Sequence, residues 1–311
     1  MKIALLMSGQ PRLVKEGYSG YKKSIGDHYD VDTFCFLWFD KSKVGTYQAD
    51  EFARHNSWGQ RKNTKWSGKE LDEIKDLYNP VSLKVANEYD WSLLPEGYPE
   101  IDSNHIHKGK NNPDDVEIYA VKEAASELYA MNQVMQQLKD YQEANGFEYD
   151  WVIRMRSDFY LNKRIVFENL DNREIHIPNI GRLPQRIGMH GLANSFAMSN
   201  FYNMQIYMSG YKEFFNRVMN YGACVAGGES WILSWLYLNG FEDPSVWNPL
   251  LSSPRVRVEW QKRLPKHWEA KRRPIVINKT CLIGDNHGVG MKTGIGDCWV
   301  VRSNEPYNYT M

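Results

Sequence analysis

Three short polar segments carry side chains that suit phosphate or metal chemistry. Residues 8–12 read Ser-Gly-Gln-Pro-Arg, Asp40 follows an apolar run, and residues 154–158 read Arg-Met-Arg-Ser-Asp. A guanidinium group binds phosphate through two parallel hydrogen bonds, and a carboxylate oxygen suits a hard divalent cation. These segments therefore predict a site for a diphosphate and a metal ion. The candidate residues of this combined site are Ser8, Gly9, Arg12, Arg154, Arg156 and Asp158, with Asp158 as the oxygen ligand of the cation.

A second interpretation of the two arginines stays open. They lie in DWVIRMRSDFYL, residues 150–161, whose apolar side chains are typical of a buried strand. Burying a charge without a partner costs about 3–5 kcal/mol, so something must neutralise these charges. A ligand can do so. Alternatively, Asp158 caps a turn while Arg154 and Arg156 pair with acids of the protein such as Asp150.

The polar segments follow apolar runs that predict buried parallel strands. The predicted strands cover residues 2–7, 31–39, 81–86 and the apolar part of 150–161. The predicted helices between them cover roughly residues 14–25, 67–78 and 115–143. In the last helix, apolar residues recur at steps of three and four, namely Leu128, Met131, Met135 and Leu138.

This alternation of strands and helices predicts an α/β fold with a mostly parallel central sheet flanked by helices. Ligands of such sheets bind at the carboxyl ends of the strands, so the polar segments should meet at one edge. The long polar segment 88–114 is expected to run over that site.

The second half predicts shorter elements and a different C-terminal part. Strands are expected at residues 175–178 and 195–199, and helices at 200–207, 211–220 and 229–238. From residue 254 onward the chain is basic and is expected to be irregular. We expect a main domain over residues 1–245 and a C-terminal extension over 246–311.

The composition limits the partners. The 311 residues include 38 Lys and Arg against 38 Asp and Glu, so non-specific nucleic-acid binding is not expected. The four cysteines form no C-x-x-C pair, which disfavours a zinc ribbon or redox dithiol. The opening apolar run is too short for a signal peptide, and no run approaches the roughly 18 apolar residues of a membrane span. We expect a soluble cytoplasmic protein, with peripheral membrane contact left open.

Two further features have alternative interpretations. The 11 Trp and 19 Tyr suit either core packing or stacking on sugar rings. Residues 255–273 carry eight basic side chains against two acidic ones. This segment suits a solvated charged face, a clamp over a diphosphate, or a patch for an anionic acceptor or membrane.

Five segments, in this order, resemble the layout of nucleotide-sugar glycosyltransferases with the GT-A fold, particularly bacterial and viral ones that decorate surface glycans. The segments are KIALLMSGQPR, VDTFCFLWFD, YDWVIRMRSDFYL, NSFAMSNFYNMQIY and GGESWILSWLYLNG. The resemblance covers about residues 1–240 and depends on the order of the motifs. It implies a GT-A-like, Rossmann-like sheet in a nucleotide-sugar binding and catalytic domain over residues 1–245. It also implies a helical or irregular C-terminal extension over 246–311 that packs on the active-site side.

The resemblance also implies roles for single residues. The Ser8-Gly9 turn and Arg12 would contact the nucleotide, and residues 156–158 would occupy the place of the D-x-D metal signature. Arg156 stands where that signature has its first acid, so it would neutralise diphosphate directly. Asp158 and His287 would hold Mn²⁺ or Mg²⁺, although Asp285 to Gly288 also suits a surface turn.

Glu229 resembles the acid near the acceptor in such enzymes and is the candidate general base. A base there must reach the acceptor hydroxyl directly or through one water. Its alternative role is that of an acid at a helix N-terminus, stabilised by the helix dipole. Inverting and retaining chemistry are both compatible with the sequence.

The expected activity is transfer of a sugar from a UDP- or GDP-type donor to a hydroxyl of a glycan acceptor, in the cytoplasm or, for a viral chain, the host cytoplasm. One alternative is a non-catalytic glycan-binding protein that uses Trp and Tyr as stacking surfaces. Another is a sugar nucleotidyltransferase. That activity needs a glycine-rich basic loop after the first strand, and SGQPR matches it poorly.

Overall fold

A computed structural model describes residues 1–48, 64–87, 89, 121–161, 163–178, 194–214, 231, 232, 235, 236, 239, 241, 242 and 273–278. The strands within them are β1 (Lys2–Gly9), β2 (Asp30–Trp38), β3 (Ser82–Ala86), β4 (Trp151–Met155), β5 (Ile175–Pro178), β6 (Phe196–Ser199), β7 (Phe241–Glu242) and β8 (Arg273–Asn278). The helices are α1 (Val14–Tyr21), α2 (Glu70–Tyr78), α3 (Val121–Asn145) and α4 (Phe201–Met208).

The strands form one mixed sheet in the order β3-β2-β1-β4-β6-β5-β8-β7. The neighbours of β1, which are β2 and β4, are both parallel to it, whereas β6 runs antiparallel to β4 and β5. From β1 the chain proceeds to β2 and β3 on one side, and α3 then returns it to β4 on the other side. Strand order therefore reverses between β1 and β4, which is the place where open α/β sheets bind ligands.

The sheet separates two apolar cores. In β1, Ile3, Leu5 and Met7 face a core that contains residues of α1 and α2. Ala4 and Leu6 face the other core, with residues of α3 and α4. Because side chains alternate along a strand, Ser8 follows Leu6 onto the α3 face at the carboxyl end.

The predicted α/β class with a mostly parallel sheet is confirmed. The four apolar residues predicted to line one face of the long helix are all buried. The helix predicted over 14–25 is interrupted: α1 ends at Tyr21 and a π-helical turn, Lys22–Gly26, follows. In that turn the Asp27 N–H donates to the carbonyl oxygen of Lys22, five residues earlier, at 2.8 Å.

One expectation about the C-terminal part was wrong. Residues 273–278 form β8, which pairs in parallel with β5, where irregular chain was expected. The run Pro-Ile-Val-Ile within this segment has the β-branched side chains that favour a strand. The boundary at residue 245 and the packing of residues 246–311 on the active-site side stay predictions. None of the helices within the described ranges is long and apolar enough to cross a bilayer.

Helix α1 approaches the segment after β4 unusually closely. A Cβ atom added to Gly17 would lie 1.8 Å from the carbonyl oxygen of Ser157, and one added to Gly20 would lie 2.8 Å from the backbone nitrogen of Leu161. Real Cβ atoms do not approach other heavy atoms to such distances. Glycine at these two positions therefore lets α1 fix the backbone at residues 157–161.

Replacing Gly17 with alanine should destabilise the protein by about 1–3 kcal/mol or more, since the new methyl group must displace the Ser157 carbonyl or the helix. Urea denaturation of Gly17→Ala measures this loss. Ser19→Ala, on the exposed side of the same helix, is the matched control and should change the free energy of unfolding by less than about 0.5 kcal/mol. Equal effects of the two variants would contradict the close approach.

Candidate functional site

The turns that follow β1 and β4 meet where the strand order reverses. The buried Ser157 hydroxyl lies 3.2 Å from the carbonyl oxygen of Gln10 and 3.0 Å from that of Arg12, and it donates to this pair of acceptors. On the other side, the Arg156 N–H donates to the carbonyl oxygen of Ser195 at 3.0 Å. The predicted segments 8–12 and 154–158 are therefore brought together, as strand topology requires.

The turn after β1 contains two residues with positive φ angles, which residues other than glycine rarely adopt. Gly9 has φ of 108°, and a Cβ atom placed on it would meet nothing within 4 Å. Leu13 has φ of 45°, a left-handed conformation that is uncommon and unfavourable for a residue other than glycine. The Arg12 guanidinium donates to the side-chain oxygen of Gln10. The turn thus leaves open space beside Gly9, with a guanidinium held nearby.

Arg156 and Asp158 form a two-point ion pair in the turn after β4. The Nε and Nη2 atoms of Arg156 donate to the two carboxylate oxygens of Asp158 at 2.9 and 2.6 Å. The Asp158 side chain is only 2% exposed and that of Arg156 is 18% exposed. Such a pair fixes the plane of the guanidinium group as well as its position.

Arg154 lies in β4, two residues before Arg156 and further from the carboxyl end of the strand. It pairs with an acid of α3. Its Nη2 atom lies 3.3 Å from Oε1 of Glu127, and the Asn194 amide donates to the other oxygen of Glu127 at 2.7 Å. Burial raises the pKa of Glu127, opposed by the positive charge of Arg154 and Arg156. Burial likewise lowers the pKa of Arg154, and Glu127 opposes that shift. The cluster holds two positive and two negative groups when all four are ionised.

This pairing bears on the two interpretations of the arginines. Acids of the protein do meet both charges, but the acids are Glu127 and Asp158. Asp150 instead accepts a hydrogen bond from the backbone N–H of Lys2 at 2.7 Å, next to the start of β1. Asp150 is thus wrong as the partner of Arg154 and Arg156.

Asp40 has a local role after β2. Its carboxylate accepts from the Ser42 N–H at 2.8 Å and caps a short 3₁₀ turn, Lys41–Lys43. The hydrogen bonds from the side chain and backbone of Ser42 lower the pKa of Asp40. Its carboxylate is therefore engaged by its own loop.

Glu229 and His287 lie outside the described residues, so their predicted roles stay predictions. Both oxygens of Asp158 are occupied by Arg156. Within the described residues, moreover, no group of three or more His, Cys, Asp or Glu is arranged to hold a metal ion. The described residues therefore do not fit a metal centre by themselves.

Three residues of the cluster escaped sequence reasoning: Glu127, Asn194 and Ser195. Glu127 stands on a helix that was recognised, but its pairing with β4 spans 27 positions along the chain and leaves no local pattern. Asn194 directly precedes the strand predicted over residues 195–199, and Ser195 is its first residue. A signal was present there, because two polar residues directly precede a buried strand that neighbours β4.

The aromatic residues beside this edge pack against one another. The rings of Trp38 and Tyr129 stack with centroids 5.8 Å apart, and the hydroxyl groups of Tyr89 and Tyr211 are hydrogen-bonded. Trp38 and Tyr89 are both buried. At these positions core packing accounts for the aromatic side chains.

Two surface grooves within the described residues lie elsewhere. One of about 720 Å³ is lined by residues near the amino ends of β1 and β4, including Asp150 and Asp171. Two of the acids there have cationic partners: Asp150 lies 4.0 Å from the N-terminal amine, and Asp171 lies 2.7 Å from Arg173. Glu168 accepts a hydrogen bond from the Tyr29 hydroxyl at 2.9 Å. We favour the carboxyl edge, where buried polar groups converge.

Comparison with protein-family models found no matching family, and comparison with curated proteins found no match. The geometry of the site and the chemistry of its residues are therefore what support a function.

Alanine variants of Arg156 and Asp158 should be strongly coupled in stability. Truncating one partner leaves the other charge poorly solvated, at a cost of up to about 3–5 kcal/mol. Arg156→Ala should cost more than Asp158→Ala, because Asp158 is the more buried partner. The double variant should be more stable than the sum of the single effects predicts, by about 0.5–3 kcal/mol. Urea denaturation of the four proteins measures this coupling.

Asp171 and Arg173 are the matched control pair. They have the same residue types, the same spacing and a 2.7 Å contact, but both are substantially exposed. Solvent screening should make their coupling much smaller. Equal coupling in the two pairs would contradict the buried character of the Arg156–Asp158 pair.

Proposed function

We propose that the chain is a glycosyltransferase that moves a sugar from a nucleoside diphosphate sugar to a hydroxyl group of a glycan. The observation that carries the proposal is the direct link between the turns after β1 and β4 through Ser157. This link places Arg12, Arg156 and the open space beside Gly9 at the reversal of strand order. The parallel arrangement of β3, β2, β1 and β4 supports a GT-A-like sheet in the same proposal.

The chemistry that the site would supply is stabilisation of a leaving group. When a glycosidic bond to a nucleoside diphosphate breaks, negative charge develops on the β-phosphate. Fixed cations lower the free energy of that charge as it forms, because they need no reorganisation. Arg156 is fixed by Asp158 and Arg12 by Gln10, so both suit this role.

Two further residues with predicted roles, Glu229 and His287, lie outside the described ranges. Glu229 would act as general base toward the acceptor hydroxyl. A divalent cation held by Asp158 and His287, either Mn²⁺ or Mg²⁺, stays a prediction. The C-terminal extension would pack on the active-site side, and the enzyme would act in the cytoplasm.

One observation favours a second candidate, a non-catalytic glycan-binding protein on the same fold. Arg154 and Arg156 already have carboxylate partners, so a diphosphate is not required to neutralise them. This candidate binds oligosaccharides without affinity for nucleoside diphosphates.

UDP or GDP should stabilise the protein in a thermal-shift assay, by about 2.7 kcal/mol at 100 times the dissociation constant. Arg12→Ala should weaken that binding about 10- to 100-fold, the worth of charge-assisted hydrogen bonds to phosphate. Lys15→Ala removes the same charge three residues away, where Lys15 is exposed and pairs with Glu73 at 2.9 Å, and should leave affinity unchanged. Measurements with Mn²⁺ and with EDTA report any cation requirement.

Binding of neither nucleotide, together with binding of oligosaccharides, would establish the glycan-binding candidate instead. Equal losses in Arg12→Ala and Lys15→Ala would show a general charge effect, and the donor site would then lie elsewhere.

Glu229→Gln should lower the turnover number about 10²- to 10⁴-fold, the usual contribution of a general base, while the dissociation constant of the donor stays unchanged. Steady-state transfer assays and nucleotide titrations on the same preparation separate the two effects. Wild-type turnover in this variant would remove Glu229 from the mechanism and leave the donor site in place.

A further inference from the structure

Buried polar atoms without a partner converge beside the Arg154–Glu127 pair. Within the described residues these atoms are Oγ of Ser8, Nε and Nη1 of Arg154, Oδ1 of Asn194 and Oγ of Ser195. Their residues are 3%, 1%, 5% and 1% exposed, in that order. Buried polar groups are nearly always hydrogen-bonded, so several orphans in one place need an explanation.

Strand register places these side chains together. Leu6 and Ala197 both lie opposite Arg154, on β1 and β6 respectively. Two residues further toward the carboxyl edge of β4 stand Ser8, on β1, and Ser195, which directly precedes β6 and whose carbonyl oxygen accepts from the Arg156 N–H at 3.0 Å. Alternation puts both on the α3 face, like Arg154 itself. Asn194 joins them through its hydrogen bond to Glu127.

The orphaned groups define what kind of ligand fits. They comprise guanidinium donors, an amide acceptor and two hydroxyl groups that can donate or accept. The charge of Arg154 is already balanced by Glu127, so an added carboxylate would meet an acid, and an added cation would meet Arg154. Hydroxyl groups, which donate and accept without charge, suit both kinds of orphan.

We propose that Ser8, Arg154, Asn194 and Ser195 form a subsite for the hydroxyl groups of an uncharged sugar, the part of the donor that is transferred. This inference rests on the proposed function for its nucleotide half. The subsite lies on the α3 face below the turns that hold Arg12 and Arg156. It selects neutral hexoses and disfavours sugars that carry a carboxylate.

Two serine-to-alanine variants at the two ends of segment 195–199 test the subsite against a matched control. Ser195, just before β6, has an orphaned hydroxyl. The hydroxyl of Ser199, at the other end of β6, lies 2.9 Å from the carbonyl oxygen of Asn172 and 2.7 Å from that of Glu174. Removing an orphaned hydroxyl should not lower the melting temperature of the ligand-free protein, whereas Ser199→Ala should lower it.

Calorimetric titration of UDP, GDP, UDP-glucose, UDP-galactose, GDP-mannose and UDP-glucuronate gives the contribution of the sugar. In the wild type, at least one neutral-sugar nucleotide should bind more tightly than its bare diphosphate. Ser195→Ala should reduce this difference by about 3- to 10-fold, the worth of one hydrogen bond, without changing affinity for the bare diphosphate. Ser199→Ala should leave all affinities unchanged, and UDP-glucuronate should bind more weakly than UDP-glucose.

The outcomes separate the subsite from the proposed function. If bare diphosphates bind but the sugar adds nothing, or if Ser195→Ala leaves its contribution intact, the subsite is wrong and the donor site stands. If no nucleotide binds, the proposed function fails, and the methyl glycosides of glucose, galactose and mannose decide the subsite. Binding that is lost in Ser195→Ala supports it, and no binding overturns it. A fall in melting temperature equal to that of Ser199→Ala also overturns it.

Discussion

The contact between α1 and the turn after β4 is the constraint on which the candidate site depends. The carbonyl oxygen of Ser157 occupies the space that a Cβ atom on Gly17 would need. The Ser157 hydroxyl donates to the carbonyl groups of Gln10 and Arg12 in the turn after β1. Two turns far apart in sequence are thereby held as one unit. Without the glycine, the helix would have to move outward, and Arg12 and Arg156 would no longer be fixed relative to each other.

Most of the sheet was predictable because its strands are short apolar runs between helices with clear periodicity. The parallel core of β1, β2 and β4 follows from the strand and helix alternation, since each crossover needs a helix. The antiparallel course of β6 was not predictable, because the pattern of apolar and polar residues in a short segment such as NSFAMS does not indicate whether the strand runs parallel or antiparallel to its neighbours. Strand β8 was not predicted, because its apolar run Pro-Ile-Val-Ile is only four residues long and directly follows the basic segment 255–273, whose composition is typical of irregular chain.

The meeting of the polar segments at one edge of the sheet was predictable, but the pairing of their charges was not. Polar residues after buried parallel strands must share an edge, which is why Arg12 and Arg156 could be placed together from the sequence. Which acid meets which arginine depends on side-chain reach across helix and sheet. Asp150 is closer to Arg154 in sequence than Glu127 is, yet it lies at the opposite end of the strand. Residues at the two ends of an extended strand are far apart in space even when they are close in sequence. A residue on a helix that packs across the strand can contact it despite a large separation in sequence.

The pairing of Arg156 with Asp158 suggests a different role for Asp158 from the metal-binding role that the D-x-D signature implies. A carboxylate bonded to two nitrogens of an arginine fixes the plane of the guanidinium group, but it also neutralises part of the positive charge. When negative charge develops in a transition state, a cation that is already oriented stabilises it without any cost of reorganisation. This advantage of orientation can outweigh the loss of part of the positive charge. Asp158 is well placed for that role, since its own burial prevents water from competing for the guanidinium. In the proposed enzyme, the last acid of the signature-like segment would therefore act through Arg156, and the arginine would face the phosphate.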